Sequence, residues 1–196
     1  MLMQRGVTVD TAGRVYTGNF GTGNFGDGVF SRVTVAADGT AKEQAVVSTG
    51  ISCVDGIFYD AARDAVFIAD SEKNALQVFH PATGRMTTLW ENDDSDGVDG
   101  LLDQPCEVLV RGDELIVANF DMPFPGMKNK AFDNAHTLSI FRLAPAARPV
   151  AAAAGMTRGT PHSGPLVNRS ITPHPHCPQL RRPICKILVQ IGRAHV

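Results

Sequence analysis

The sequence predicts an all-β fold: a β-propeller segment of about three four-stranded blades over residues 1–145, followed by an irregular tail over residues 146–196. Three observations predict it. One hairpin pattern recurs three times, starting near Gly6, Gly56 and Glu107, a spacing of about 50 residues. A third strand-like run follows each hairpin, and a fourth follows in the first two units; such units at about 40–50 residues are the signature of propeller blades. No segment has the period of a long amphipathic helix, and a sandwich does not repeat a four-strand unit. The blades are expected near residues 1–50, 51–104 and 105–145.

Each hairpin is justified by its own residues. The three stretches are GVTVDTAGRVYTGNF (6–20), GIFYDAARDAVFIADS (56–71) and EVLVRGDELIVANF (107–120). Val7 and Val9, and Val108 and Val110, alternate with period two, as in a strand with one buried face. The turns Asp10-Thr11-Ala12-Gly13 and Arg111-Gly112-Asp113 carry hairpin chemistry. Third strands fit VFSRVTV (29–35), LQVFHP (76–81) and LSIFRL (138–143), and fourth strands fit AKEQAVV (41–47) and MTTLW (86–90). Three blades do not close a ring, because propellers need about four to eight. The chain is therefore expected to be a fragment, or half of an assembled ring that self-associates through open blade edges.

The second unit, VDGIFYDAARDAVFIADSEKNALQVFHPATGR, resembles the senescence-marker-protein / gluconolactonase family of six-bladed propellers. It also resembles NHL-repeat propellers, through Asp60, Ala69-Asp70, Asn74 and Gln77-Val78-Phe79. The longer repeat spacing, and the loops after Asn19 and Asn119, favour the lactonase-like group, and the likeness covers about residues 4–144. It implies a six-bladed ring and a divalent metal, calcium or zinc. In that group an Asn or Asp before the Gly of the inner strands holds the metal, and one Asp is also the base. Asp55 occupies that position before Gly56, whereas the matching residues are Arg5 in the first blade and Cys106 in the third, followed by Glu107. The family's ligating Glu near the N-terminus has no assignable counterpart. The resemblance thus implies a fragment of a metal-dependent hydrolase of small sugar lactones or related esters, with Asp55 as base and ligand. The alternative is a non-catalytic NHL-like binding module; a propeller lyase is a further enzyme reading.

Several other residues have a functional and a plainer reading. Glu107 is a second metal ligand, or a carboxylate paired with a backbone N–H. Asn19, Asp70 and Asn119 end the second strands, where they either ring the channel mouth or cap the turns by bonding the backbone. The loop at residues 92–103 places oxygens at Asn92, Asp94 and Asp96, then Gly97, with Asp103 twelfth, as in a surface calcium loop. Against an EF-hand stand Asn at the first position, Asp99 where an apolar residue belongs, and flanks that read as strands; the plainer reading is a solvated acidic connection. The glycine run at 18–28 has no helix behind it to bind phosphate and reads as a loop. The apolar, aromatic loop at 120–134 is expected to form a lid over the channel.

Composition bounds the partners. Net charge is −2, but residues 1–145 hold all 20 acids and 11 of the 18 Lys+Arg, while residues 146–196 hold the other 7 and no acid. Eight of the 12 prolines also lie from Pro145 onward. A basic, Pro-rich tail can be a nucleic-acid arm. The final IGRAHV, however, reads as a translated sequencing adapter, and residues 146–190 then read as a shifted frame, expected to be disordered. The His174-Pro175-His176-Cys177 run is discounted as a metal site for the same reason. The expected partner is a small-molecule substrate, with neither nucleic acid nor membrane. No apolar run approaches the ~20 residues that span a bilayer, and the N-terminus carries no signal-peptide pattern. The compartment is left open. Cys53 and Cys106 lie in apolar strand contexts and read as small buried residues rather than a disulfide framework.

Overall fold

Short alternating runs closed by Asp- and Gly-containing turns form local antiparallel hairpins, since the turn fixes the register and the pleat sends alternate side chains to one face. The computed structural model describes residues 4–20, 26–49, 51–122, 124–133, 136–146 and 189–190, and in them twelve strands form three four-stranded antiparallel sheets. Blade one comprises β1 (Gln4–Val9), β2 (Val15–Asn19), β3 (Val29–Val35) and β4 (Ala41–Thr49). Blade two comprises β5 (Val54–Asp60), β6 (Ala65–Asp70), β7 (Ala75–His80) and β8 (Arg85–Glu91). Blade three comprises β9 (Pro105–Arg111), β10 (Glu114–Asn119), β11 (Thr137–Arg142) and the two-residue β12 (Val189–Gln190). Among the described residues the helical element is one 3-10 turn, Ser71–Lys73.

The propeller expectation holds. Each blade pairs its strands in sequence order, as a meander. The tail contributes one feature: Thr137 pairs with Gln190 and Leu138 with Val189, which puts a strand in the fourth position of blade three. The rest of the tail, including His174, His176 and Cys177, lies outside the described residues, as do residues 21–25 of the glycine run.

The turn residues explain the hairpins. Asp10 accepts bonds from the Ala12 and Arg14 backbone N–H groups (2.9 Å each), from Arg14 Nε (2.6 Å) and from the buried Tyr16 hydroxyl (3.0 Å). One blade on, Asp60 accepts from Ala62 N–H (3.0 Å) and Arg63 Nη1 (2.7 Å). An Asp that bonds its own backbone two residues on is the usual nucleus of such turns.

The inner strands β1, β5 and β9 lie side by side. Each pairs with its neighbour through an irregular step at the same place, between Arg5 and Val7, between Val54 and Ile57, and opposite Asn119. This aligns Arg5, Asp55 and Cys106 as structural equivalents. Close approach of the strands requires glycine there. A Cβ on Gly6 (φ +58°) would stand 2.4 Å from the Asp55 carbonyl oxygen, and one on Gly56 2.7 Å from the Cys106 carbonyl oxygen. Thr8 Oγ1 accepts from Tyr59 N–H two residues further along (3.1 Å), so the inner strands run parallel to one another.

Two apolar clusters join the blades. Tyr16 and Phe30 of blade one pack on Ile57, Ile68 and Phe79 of blade two. Phe67, Leu76 and Val78 pack on Val108, Leu115 and Phe141 of blade three. With the strands parallel from blade to blade, the described connections fall at two ends. Residues 10–14, 36–40, 61–64, 81–84 and 112–113 are short turns at one end. Residues 26–28, 51–53, 71–74, 92–104, 120–122 and 124–133 belong to the longer loops at the other. Long loops on a rigid scaffold are where side chains are free to serve chemistry.

Candidate functional site

The long-loop end holds the candidate carboxylates Asp55 and Glu107. Asp55 enters β5 at the bulge and is half-buried. Ser71, which follows β6, donates its hydroxyl to the Pro105 carbonyl (2.6 Å) and lies 3.5 Å from Asp55 Oδ2. A Cβ on Gly56 would stand only 2.3 Å from Glu107 Oε1, so the Glu107 side chain covers the residue next to Asp55. Glu107 is exposed, and Oε1 accepts the backbone N–H of Val108 (2.9 Å), the plainer role weighed for it. Two oxygen-bearing side chains therefore flank one inner-strand bulge. Two carboxylates are fewer than the six to eight oxygens calcium takes. Glu72, in the 3-10 turn beside Asp55's partner Ser71, is a carboxylate the sequence did not single out. Its Oε2 is buried without a hydrogen-bond partner, and burial raises its pKa, with Asp70's charge adding to the shift.

A second cluster is deeper. Among the described residues, Asp103, Asp121 and Asp133 offer carboxylate oxygens within 4.8 Å of one another. Asp103 sits in the β8–β9 loop; Asp121 and Asp133 bracket the β10–β11 loop. Asp103 and Asp121 are fully buried. Neither Asp103 oxygen has a hydrogen-bond partner, nor has Asp121 Oδ1; Asp121 Oδ2 accepts Asp133 N–H (2.9 Å). Burial, and then the charges of Asp121 and Asp133, push the Asp103 pKa up to about 7. Burial likewise raises Asp121.

The four residues of the predicted calcium loop do not converge. Asn92 is a loop staple: its Oδ1 accepts from Trp90 Nε1 (3.1 Å) and Leu102 N–H (2.9 Å), and its Nδ2 donates to the Leu102 carbonyl (2.9 Å). Asp94 Oδ1 accepts Lys130 N–H (2.9 Å), and Asp96 Oδ1 accepts Val98 N–H (3.0 Å). Only Asp103 of that set reaches a carboxylate cluster, and it does so with partners from another loop. Asn119 and Asp70 cap, as their plainer reading had it: Asn119 Oδ1 accepts Asp103 N–H and Asp70 Oδ1 accepts Cys53 N–H, both at 3.1 Å. Asn19 Oδ1 accepts Val29 N–H (3.1 Å) in the same way. Cys53 is buried and Cys106 half-buried.

The aromatic loop docks on blade two. Lys128 N–H donates to the Glu72 carbonyl (2.8 Å), Lys128 Nζ pairs with Glu91 (2.9 Å), and buried Met127 meets Gln104 Nε2 (3.0 Å). Phe120, Met122, Phe124 and Phe132 remain exposed.

No family model matches the chain, and no curated protein matches it. Among solved structures it is similar to a luciferin-regenerating enzyme, at 16% identity and a TM-score of 0.41, over 71% of this chain. The chain spans 61% of that protein's length. So loose an overlap transfers no function.

Proposed function

We propose that this chain carries part of the catalytic end of a metal-dependent propeller hydrolase acting on small sugar lactones or related esters. The observation that supports it is Asp55, half-buried at the bulge of an inner strand, at the long-loop end, with Glu107 beside it on the next inner strand. Both offer oxygen donors, which fit a hard divalent cation such as calcium, or zinc; the remaining ligands would come from further blades. A cation held there supplies Lewis-acid polarisation of a lactone carbonyl and a more acidic water. Asp55 accepts the proton of the attacking water, and Ser71, bonded to Pro105, fixes the approach of the two inner strands that present Asp55 and Glu107.

The test is hydrolysis of small aldonolactones by the protein made from its complete reading frame, chelated and then given calcium or zinc. Cation-dependent turnover that falls roughly 100-fold or more in Asp55→Ala supports the reading. The segment 1–145 alone is expected to stay at background, since two carboxylates do not complete a site. A second reading, a binding module without catalysis, is supported by the exposed Phe120, Phe124 and Phe132 at the same end. Absence of turnover in the complete protein, with ligand-induced shifts confined to those phenylalanines, would establish it in place of the first.

A further inference from the structure

We propose that Lys128 is a positioning residue for the Asp55 site: the strap it centres, residues 127–130 of the β10–β11 loop, holds the Ser71–Lys73 turn in place at the end of blade two. The consequence for turnover rests on the hydrolase reading; the hold on the turn does not.

The strap is built by alternation. Met127 and Asn129 are buried, Lys128 is half-buried and Lys130 is exposed. An extended segment of this kind turns one face to the blades and the other to solvent. Both ends of it are tied to the β8–β9 loop: Met127 Sδ meets Gln104 Nε2 (3.0 Å), and Lys130 N–H donates to Asp94 Oδ1 (2.9 Å). Between those ties Lys128 bridges two elements. Its N–H donates to the Glu72 carbonyl (2.8 Å), and its Nζ reaches Glu91 (2.9 Å) at the end of β8 and Asp93 (3.3 Å) just beyond. The bond to Glu91 raises the Lys128 pKa above its ordinary 10.5, so the ammonium stays charged at neutral pH.

Glu72 matters because of its neighbour. Ser71 N–H donates to the Cys53 carbonyl (3.1 Å), two residues before Asp55. The Ser71 hydroxyl donates to the Pro105 carbonyl (2.6 Å) and lies 3.5 Å from Asp55 Oδ2. One residue of the turn thus faces the two inner strands, and the carbonyl of the next is held by the strap. Lifting the strap frees the Glu72 carbonyl, and with it the turn whose hydroxyl sets the spacing of Asp55 and Pro105. The Nζ pairs are part-exposed, so each is weak and is screened by salt. Lys128 is therefore a releasable clasp. Reversing its charge opposes Glu91 and Asp93 without altering the buried contacts of Met127 and Asn129.

The experiment is hydrogen exchange, read amide by amide, on the full chain carrying Lys128→Glu or Lys128→Arg, followed by kinetics on small aldonolactones in the protein made from its complete reading frame. In Lys128→Glu the Lys128-position and Ser71 amides should exchange about fivefold faster or more, from the loss of two part-exposed pairs. The Tyr59 amide, bonded to Thr8 toward the short-turn end, should keep its rate. Lys128→Arg should match wild type, and sodium chloride at about 1 M, where the Debye length is about 3 Å, should move wild type toward Lys128→Glu. In the complete protein kcat should fall about tenfold in Lys128→Glu with KM near wild type, within the ~100-fold that a 1 Å misplacement can cost, and Lys128→Arg should restore it. Should Lys128→Glu not fold, Glu91→Gln, which removes the nearer partner, carries the same directions. Wild-type exchange at Ser71 in Lys128→Glu overturns the proposal, and so does faster exchange that reaches Tyr59 equally. Unchanged kcat despite faster Ser71 exchange removes the positioning role. No turnover in the wild type refutes the hydrolase reading instead, and the exchange rates alone then decide whether the strap holds the turn.

Discussion

Blade two and its two neighbours are built from the same repeat, yet they spend it differently. In blade two, all six residues of β6 and the first five of β7 are buried. In blade three, β10 alternates half-buried and buried residues, and in blade one Val7 and Val9 of β1 are 67% and 54% exposed. The hairpins are equivalent; what differs is the covering. A blade flanked on both faces reads as a continuous apolar strand, while one covered on a single face keeps the two-residue period. Val7 and Val9 on one side and Leu109 on the other are apolar residues that the described blades leave uncovered.

The largest expected effect tests that difference directly. Phe79 lies against Tyr16 and Phe30, with ring centroids 5.7 and 5.5 Å apart. Phe79→Ala should cost about 3–5 kcal/mol in denaturant unfolding, as for a buried aromatic whose cavity cannot collapse. Val7→Ala and Leu109→Ala should stay within about 0.5 kcal/mol at low protein concentration. A loss at Leu109 that grows with concentration would mean that two chains cover each other's open faces, and sedimentation would then show the dimer.

The same contrast explains what could be read from sequence. Strands, turns and blade order were legible because Val7/Val9, Asp10 and Asp60 act locally: periodicity sets the face, and an Asp bonds its own turn. Even the equivalence of Arg5, Asp55 and Cys106 was readable, because the bulge recurs in every inner strand. The Asp103 cluster was not. Linear spacing assigned Asp103 to Asn92, Asp94 and Asp96, but Asn92 is consumed in stapling the loop to Leu102. The true neighbours, Asp121 and Asp133, come from a loop noticed for its phenylalanines. The available signal was that Asp121, Asn129 and Asp133 are among the few polar residues of that stretch, and Asp121 and Asn129 are fully buried. Which loop meets which is decided by the meander, not by spacing.

A smaller effect probes the junction of blades two and three. Arg63 donates to Asp60 (2.7 Å) and reaches across to Asp113 (2.6 Å) and to the carbonyls of Gly112 and Ala144 (3.1 and 2.8 Å). Its side chain is largely buried, while Asp113 is half exposed. Arg63→Ala should cost about 1–3 kcal/mol, because Asp60 and two carbonyls lose their charged donor. Asp113→Ala should cost less than about 1 kcal/mol, as for a solvent-screened pair. Equal losses would mean that the ion pair, rather than the clasp on the backbone, joins the blades.

The smallest effect is the part of the pH dependence that the Asp10 turn of blade one carries. Burial alone would raise the Asp10 carboxyl, but the bonds from Arg14 and Tyr16 outweigh it and hold it below the ordinary 3.8. A carboxyl depressed in the folded state contributes stability that is present above its unfolded pKa and is lost as pH falls through the folded one. Unfolding free energy should therefore decline below about pH 4, and Asp10→Asn should remove part of that decline while costing about 1 kcal/mol at pH 7. The site lies in the short turn 10–14, at the end away from Asp55 and Glu107, so calcium should leave this acid limb unchanged. A calcium-dependent acid limb in the Asp10→Asn variant would instead couple the two ends of the blades. That would make the segment one cooperative unit, not a stack of blades whose ends respond separately.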